Sequence, residues 1–217
     1  MAGTVITVAQ QKGGAGKTTL VVQLAVALAK AGKKVAAVDI DPQGSLSAWL
    51  DMRQQMYGDG LTPNLSGLSG SAWRLSSDLR RLRENHDLIL LDSPPHIETE
   101  SKFALRAADL VLIPIQPSLL DLWATKPTID LARKEGRQVL LVLNRVPPRG
   151  RLPAEVRQAI LIGGLPLADA QFGNRQSFAA SIGLGKGVCE SEPKGTAADE
   201  VHRLSEEITR FLDRKPS

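Results

Sequence analysis

Val5-Ile6-Thr7-Val8-Ala9-Gln10-Gln11-Lys12-Gly13-Gly14-Ala15-Gly16-Lys17-Thr18-Thr19 joins an apolar run, a glycine turn and the start of a helical pattern. The β-branched run reads as a buried strand. The glycines let the backbone curl so that successive N–H groups converge, and a helix starting there adds its partial positive charge. Such a concavity suits phosphate. Lys17 is placed to reach the β- and γ-phosphates of a nucleotide, and the Thr18 hydroxyl to ligate Mg²⁺. The candidate phosphate residues are Gly13, Gly14, Ala15, Gly16, Lys17, Thr18 and Thr19.

The usual phosphate-loop pattern, G-x-x-x-x-G-K-[ST], asks for glycine where this chain has Gln11. A second lysine, Lys12, precedes the paired glycines instead. A lysine on the loop in addition to Lys17 points to the nucleotide of a facing subunit.

Further strand-length apolar runs follow at Val35–Ile40, Leu88–Leu91, Leu110–Ile115 and Val139–Leu143. They lack strict alternation, as strands covered on both faces of a parallel sheet do. Between them, Lys17–Ala31, Ser71–Glu84, Glu98–Ala107 and Ser118–Glu135 suit crossover helices, the first closed by a glycine signal at Gly32. A final helix over Thr196–Leu212 sets Val201, Leu204, Ile208 and Phe211 on one face. The alternation predicts one α/β domain over residues 1–217, a doubly wound, mainly parallel sheet with helices on both faces. Arg53–Gly70, rich in Gly, Ser, Pro and Asn, is expected to be a surface loop.

Two strands end in acids, Asp39-Ile40-Asp41-Pro42-Gln43-Gly44 and Leu91-Asp92-Ser93-Pro94-Pro95. Ligands of open α/β sheets lie at the carboxyl ends of the strands, so these acids should face the glycine loop. Asp92 is the natural acid for Mg²⁺, Asp41 the candidate for orienting an attacking water, and Asp39 a support for the metal shell.

Composition narrows the classes. A single cysteine, Cys189, excludes a disulfide framework, a zinc site built on cysteine pairs and a thiolate-held cluster. It is expected to be a packed side chain. His86, His96 and His202 are too scattered to form a metal site, and Trp49, Trp73 and Trp123 are expected in core or half-buried packing. No signal peptide or membrane-spanning run is apparent, so a cytoplasmic protein is expected. Net charge is +4, a mild bias compatible with nucleic acid.

Taken together, Lys12–Thr19, Asp39–Ser45 and Leu91–Pro95 resemble the ParA group of the ParA/MinD ATPases. The likeness continues through Ile113-Pro114-Ile115-Gln116-Pro117-Ser118, Asp121-Leu122-Trp123-Ala124 and Val142-Leu143-Asn144-Arg145. The resemblance is to the small subtype without an N-terminal helix-turn-helix. It implies that Lys12 crosses an ATP-sandwich homodimer to the partner's phosphates, and that Lys17 and Thr18 form the Walker A pair. Asp41 would position the hydrolytic water, with Asp92 the Walker B acid and Asn144 at the adenine edge. It further implies a nucleoid-associated cycle. ATP drives dimerisation, the dimer binds DNA without sequence preference, and a ParB-like adaptor stimulates hydrolysis.

The basic residues Arg145, Arg149, Arg151, Arg157, Arg175, Lys186, Lys194, Arg203, Arg210, Arg214 and Lys215 are interleaved with acids and define no clean DNA face. Two other readings share the fold. A membrane-surface positioning ATPase of the MinD kind needs a free basic amphipathic C-terminus, whereas here the apolar residues continue a core stripe. A biosynthetic ATP-dependent ligase needs a substrate pocket with its own reactive groups.

Overall fold

The computed structural model describes residues 2–70, 74–95 and 99–213. Its strands are β1 Thr4–Val8, β2 Val35–Asp39, β3 Leu65–Ser69, β4 Leu88–Asp92, β5 Leu110–Ile115 and β6 Gln138–Leu143. They form one sheet in the order β3-β2-β4-β1-β5-β6, with every pairing parallel. Helices α1 Lys17–Lys30, α2 Ser45–Tyr57, α3 Leu75–Asn85, α4 Thr99–Ala107, α5 Leu119–Lys134 and α6 Leu152–Ile162 intervene or follow. The chain closes with α7 Gln176–Ile182, α8 Val188–Ser191 and α9 Thr196–Asp213. The expected doubly wound α/β architecture is what forms.

Register decides where chemistry can sit. Val8 pairs with Asp92, and Asp39 pairs with the same residue from the other side. The carboxyl ends of β1, β2 and β4 therefore lie level, beside the loop that follows β1. Burial explains why these strands read as continuous apolar runs, since β2, β4 and β5 are buried along their whole length. On one face the core packs α1 and α9 against Ile6, Val8, Leu90, Leu112 and Val142. On the other, one cluster joins Val111, Ile113 and Leu141 to Ile129 and Ile160, and a second joins Ile89 and Leu91 to Leu75 and Leu79. Among the described residues no helix is long and apolar enough to cross a membrane.

The expected surface loop over Arg53–Gly70 is overturned. Arg53–Tyr57 completes α2, and Leu65–Ser69 is the edge strand β3, paired with β2. An edge strand has one neighbour and open faces, so Leu-Ser-Gly-Leu-Ser needs no apolar run and is mostly exposed. Arg53 is buried and makes a bidentate pair with Glu190, 2.9 and 2.6 Å. Residues 71–73, which begin the expected helix over Ser71–Glu84, and Glu98 lie outside the described residues. Of the tryptophans, Trp49 is buried as expected, but Trp123 is 65% exposed on α5, and Trp73 lies outside the described residues. Cys189 is buried, and burial pushes its thiol up to about 11.

The opposite sheet edge is covered. Residues 166–174 run beside β6, with hydrogen bonds Leu141 N–H to Pro166 O and Phe172 N–H to Leu143 O at 2.9 Å, and Asn174 N–H to Val146 O at 2.8 Å. Helix α9 fastens this segment from outside, its Glu207 carboxylate accepting the Asp169 and Ala170 N–H groups at 2.8 and 2.9 Å.

Candidate functional site

The loop after β1 turns on glycines in the left-handed region, with φ of +72° at Gly14 and +94° at Gly16. Gly16 has a second constraint, because a Cβ there would stand 2.2 Å from Asn144 Nδ2. No other residue fits. Asn144, at the end of β6, donates to Ala15 O at 2.7 Å and accepts from Arg145 N–H at 2.9 Å. It thus ties the glycine loop to the sheet. Its amide keeps one donor and one lone pair for a base.

Lys17 opens α1 and is buried. Burial lowers its pKa, while Asp92 and Asp41 pull it back up. Thr18 donates to Asp92 Oδ2 at 2.6 Å. Asp92 is fully buried, and its Oδ1 has no hydrogen-bond partner among the described residues. Burial is the main reason its carboxyl is pushed up to about 7. The Thr18 bond opposes the rise and Asp39 and Asp41 add to it. A buried orphan oxygen beside a threonine hydroxyl, at a phosphate loop, is what a hard cation with oxygen ligands would complete. The pair fits Mg²⁺ held by few protein ligands together with phosphate and water. Among the described residues no cluster of three or more His, Cys, Asp or Glu forms a metal cage.

The acids of the β2 turn divide their work. Asp39 is buried, and its Oδ1 accepts the Asp41 N–H at 3.0 Å. Its Oδ2 accepts Ser47 N–H and Oγ–H at 2.7 and 2.8 Å. Asp39 therefore braces the turn into α2 and presents Asp41, whose Oδ1 accepts the Gln43 N–H at 2.9 Å. Asp41 is half-buried beside the loop, close enough to influence Lys17 and Asp92.

Lys12 does not turn toward Lys17. Its Nζ is paired with the carboxylate of Asp121 on α5, with the lysine side chain 49% exposed and the aspartate side chain 6%. The same helix is stitched to the loop again by Gln10, whose Nε2 donates to Thr125 Oγ1 at 2.9 Å, while Thr125 Oγ1 donates to Asp121 O at 2.7 Å.

Beyond Asn144 opens a cleft of about 470 Å³ lined by Thr19, Asn144, Arg145, Gly173, Arg175 and Phe178 among others. Sequence reasoning found Asn144 and Thr19 there, took Arg175 as a DNA candidate and passed over Gly173 and Phe178. Arg175 is paired with Glu200. Arg157 stands 3.8 Å from Asp169, and Lys186 lies over the Tyr57 ring. Arg214 and Lys215 lie outside the described residues.

The chain is similar to known proteins in sequence and in fold. The model of the CobQ/CobB/MinD/ParA nucleotide binding domain matches residues 6–188. The "maintenance of carboxysome distribution protein A" of Halothiobacillus neapolitanus is 30% identical over 218 aligned residues, covering 94% of this chain and 95% of that one. The chromosome-partitioning ATPase Soj of Thermus thermophilus is 30% identical, covering 94% of each. Among solved structures, the septum site-determining protein MinD of Pyrococcus horikoshii, complexed with Mg-ADP, superposes with a TM-score of 0.78 at 22% identity, covering 97% of each chain. The chain belongs to the CobQ/CobB/MinD/ParA nucleotide-binding family and is related within it to partition and positioning proteins.

Proposed function

We propose that this chain is a partition or positioning ATPase that dimerises around ATP, binds DNA without sequence preference and hydrolyses ATP when a ParB-like adaptor stimulates it. The observation that carries the reading is Lys12, a second lysine on the phosphate loop, half exposed and paired with Asp121 on its own chain. A lysine facing away from its own loop is available to a second nucleotide, and the neighbouring Asp121 holds it until one arrives. The relatives in partition and positioning support the cycle.

Mg-ATP supplies a γ-phosphoryl group open to in-line attack by water. The chain's residues do the rest. Loop N–H groups and Lys17 hold the phosphates, and Thr18 with Asp92 holds Mg²⁺, with Asp39 supporting that shell through the turn it braces. Asp41 orients the water. Lys17 and the Lys12 contributed by the partner offset the charge developing in the transition state. Asn144 and the cleft beside it take the adenine.

Phosphate release and sedimentation velocity test the reading together. Expected are ATP turnover, a dimer with ATP and a monomer with ADP, the dimer being lost in Lys12→Ala. An ATP-bound protein that stays monomeric, or a Lys12→Ala variant that dimerises as well as wild type, contradicts the role given to Lys12.

A further inference from the structure

The base cleft is shaped by a residue outside it. Glu200 sits one turn into α9, its side chain 16% exposed, and reaches across to the corner where the β6-edge segment turns into α7. One oxygen, Oε1, accepts from Arg175 Nε at 3.0 Å and Nη2 at 2.7 Å. The other, Oε2, accepts the Gly173 N–H at 3.0 Å. A single carboxylate thus fixes both the backbone of the corner and the plane of the arginine. The fit is close. A Cβ on Gly173 would come within 3.0 Å of Arg175 Nε and 3.2 Å of Glu200 Oε1. The corner itself is anchored to the sheet, since Val146 and Gly173 form a parallel bridge beside Asn144. Gly173 and Arg175 line the same cleft as Asn144. A planar guanidinium whose fork is already satisfied by a carboxylate still has a free face, and that face stacks well on aromatic rings.

We propose that Glu200 is a positioning residue for the nucleotide base. It holds Arg175 as the wall against which the purine stacks, and it holds Gly173 where the corner leaves room for that ring. This rests on the reading that the cleft takes the adenine of ATP. Sequence distance hid it, because Glu200 and Arg175 are 25 residues apart and both appear as ordinary surface charges.

The test separates base from phosphate. Binding of Mg-ATP and of Mg-tripolyphosphate, which has the phosphates without the base, is measured by calorimetry on wild type, Glu200→Ala, Arg175→Ala and Arg175→Lys. Expected is a loss of about tenfold or more in ATP affinity in each variant, the scale of 1.4 kcal/mol, with tripolyphosphate affinity within about twofold of wild type. Arg175→Lys should fall with the others, since an ammonium has neither the plane nor the fork. The double variant Glu200→Ala with Arg175→Ala should lose little more than either alone, as expected for residues acting as one unit. Loss of both ligands in parallel in the variants would show a general structural role and overturn the proposal, as would variants that bind ATP like wild type. A wild type that binds tripolyphosphate no more weakly than ATP would overturn it together with the adenine assignment. In the other failures wild type still prefers ATP, so the two can be told apart.

Discussion

Asp41 and Asp92 stand at the ends of neighbouring strands, yet their surroundings assign them different work. Asp41 is half-buried and keeps one oxygen clear of the turn, so it can hold a water. Asp41→Ala is expected to leave ATP binding within about threefold and to cut turnover by about 100-fold or more, the range for a lost proton-handling or orienting group; stimulated phosphate release checks this. Asp92 is different because it is buried with an oxygen that has no hydrogen-bond partner among the described residues. Its carboxyl is raised to about 7 in the folded protein, against about 3.9 in an unfolded chain. A raised carboxyl costs stability as pH rises. The penalty is absent below about pH 4, grows through the interval and is complete above about pH 7. Ligand-free Asp92→Asn should therefore melt higher than wild type at pH 8, by about 2–4 °C for each kcal/mol recovered. The gain should vanish near pH 4, and Mg-ATP should no longer stabilise the variant. Asp121 makes a third case. When Lys12 leaves, a nearly buried carboxylate is left without its cation, a state that opposes the departure. Asp121→Asn removes that opposition. Its ATP-dependent dimer should form at a lower protein concentration than wild type, measured by sedimentation.

At the scale of elements, a buried ion pair ties α2 to α8. Arg53 on α2 and Glu190 on α8 are both nearly inaccessible, and Thr62 donates a further bond to Glu190 at 2.5 Å. Burial works against the Glu190 carboxylate, but Arg53, Thr62 and the Gly187 N–H more than offset it and hold its pKa below the ordinary value. The stability it contributes is present above the ordinary carboxylate pKa, about 4.3, and is lost as pH falls through the lower folded value. Glu190→Gln, which leaves the buried Arg53 without its counter-charge, is expected to cost about 3–5 kcal/mol at neutral pH. The gap from wild type should narrow in acid, as urea unfolding at several pH values would show. None of this was legible in the sequence, where Arg53 began a stretch of Gly, Ser and Asn that looked like a loop. Strands β2, β4 and β5 were legible because both faces are covered and the apolar run is unbroken. Strand β3 was not, because an edge strand with Ser66, Gly67 and Ser69 exposed carries no such run.

For the whole molecule, the same contrast separates the two halves of the site. The phosphate half could be read because Lys12 to Thr19 are consecutive and the acids end apolar strands. Of the proposed base half the family resemblance supplied Asn144, but Gly173, Arg175 and Glu200 could not be read together, because they meet only when the segment beside β6 and helix α9 pack against each other. Helix α9 also bears on how the protein docks. Its apolar residues Val201, Leu204 and Ile208 are fully buried against the core, as the sequence spacing implied, so this face is not free to enter a lipid surface. Arg145, Arg149, Arg151, Arg203 and Arg210 have no ion-pair partner among the described residues, which leaves cations available to a polyanion. Counterion release makes such binding fall steeply with salt. The most direct measurement is binding to a random-sequence DNA duplex without nucleotide and with ADP, ATP or a slowly hydrolysed analogue, at rising salt, for wild type and Lys12→Ala. Expected is binding by wild type only with ATP or the analogue, weakening steeply with salt and lost in Lys12→Ala. DNA ignored in every state while ATP is still bound would contradict a DNA-tethered partition ATPase and leave only the fold and the nucleotide site standing.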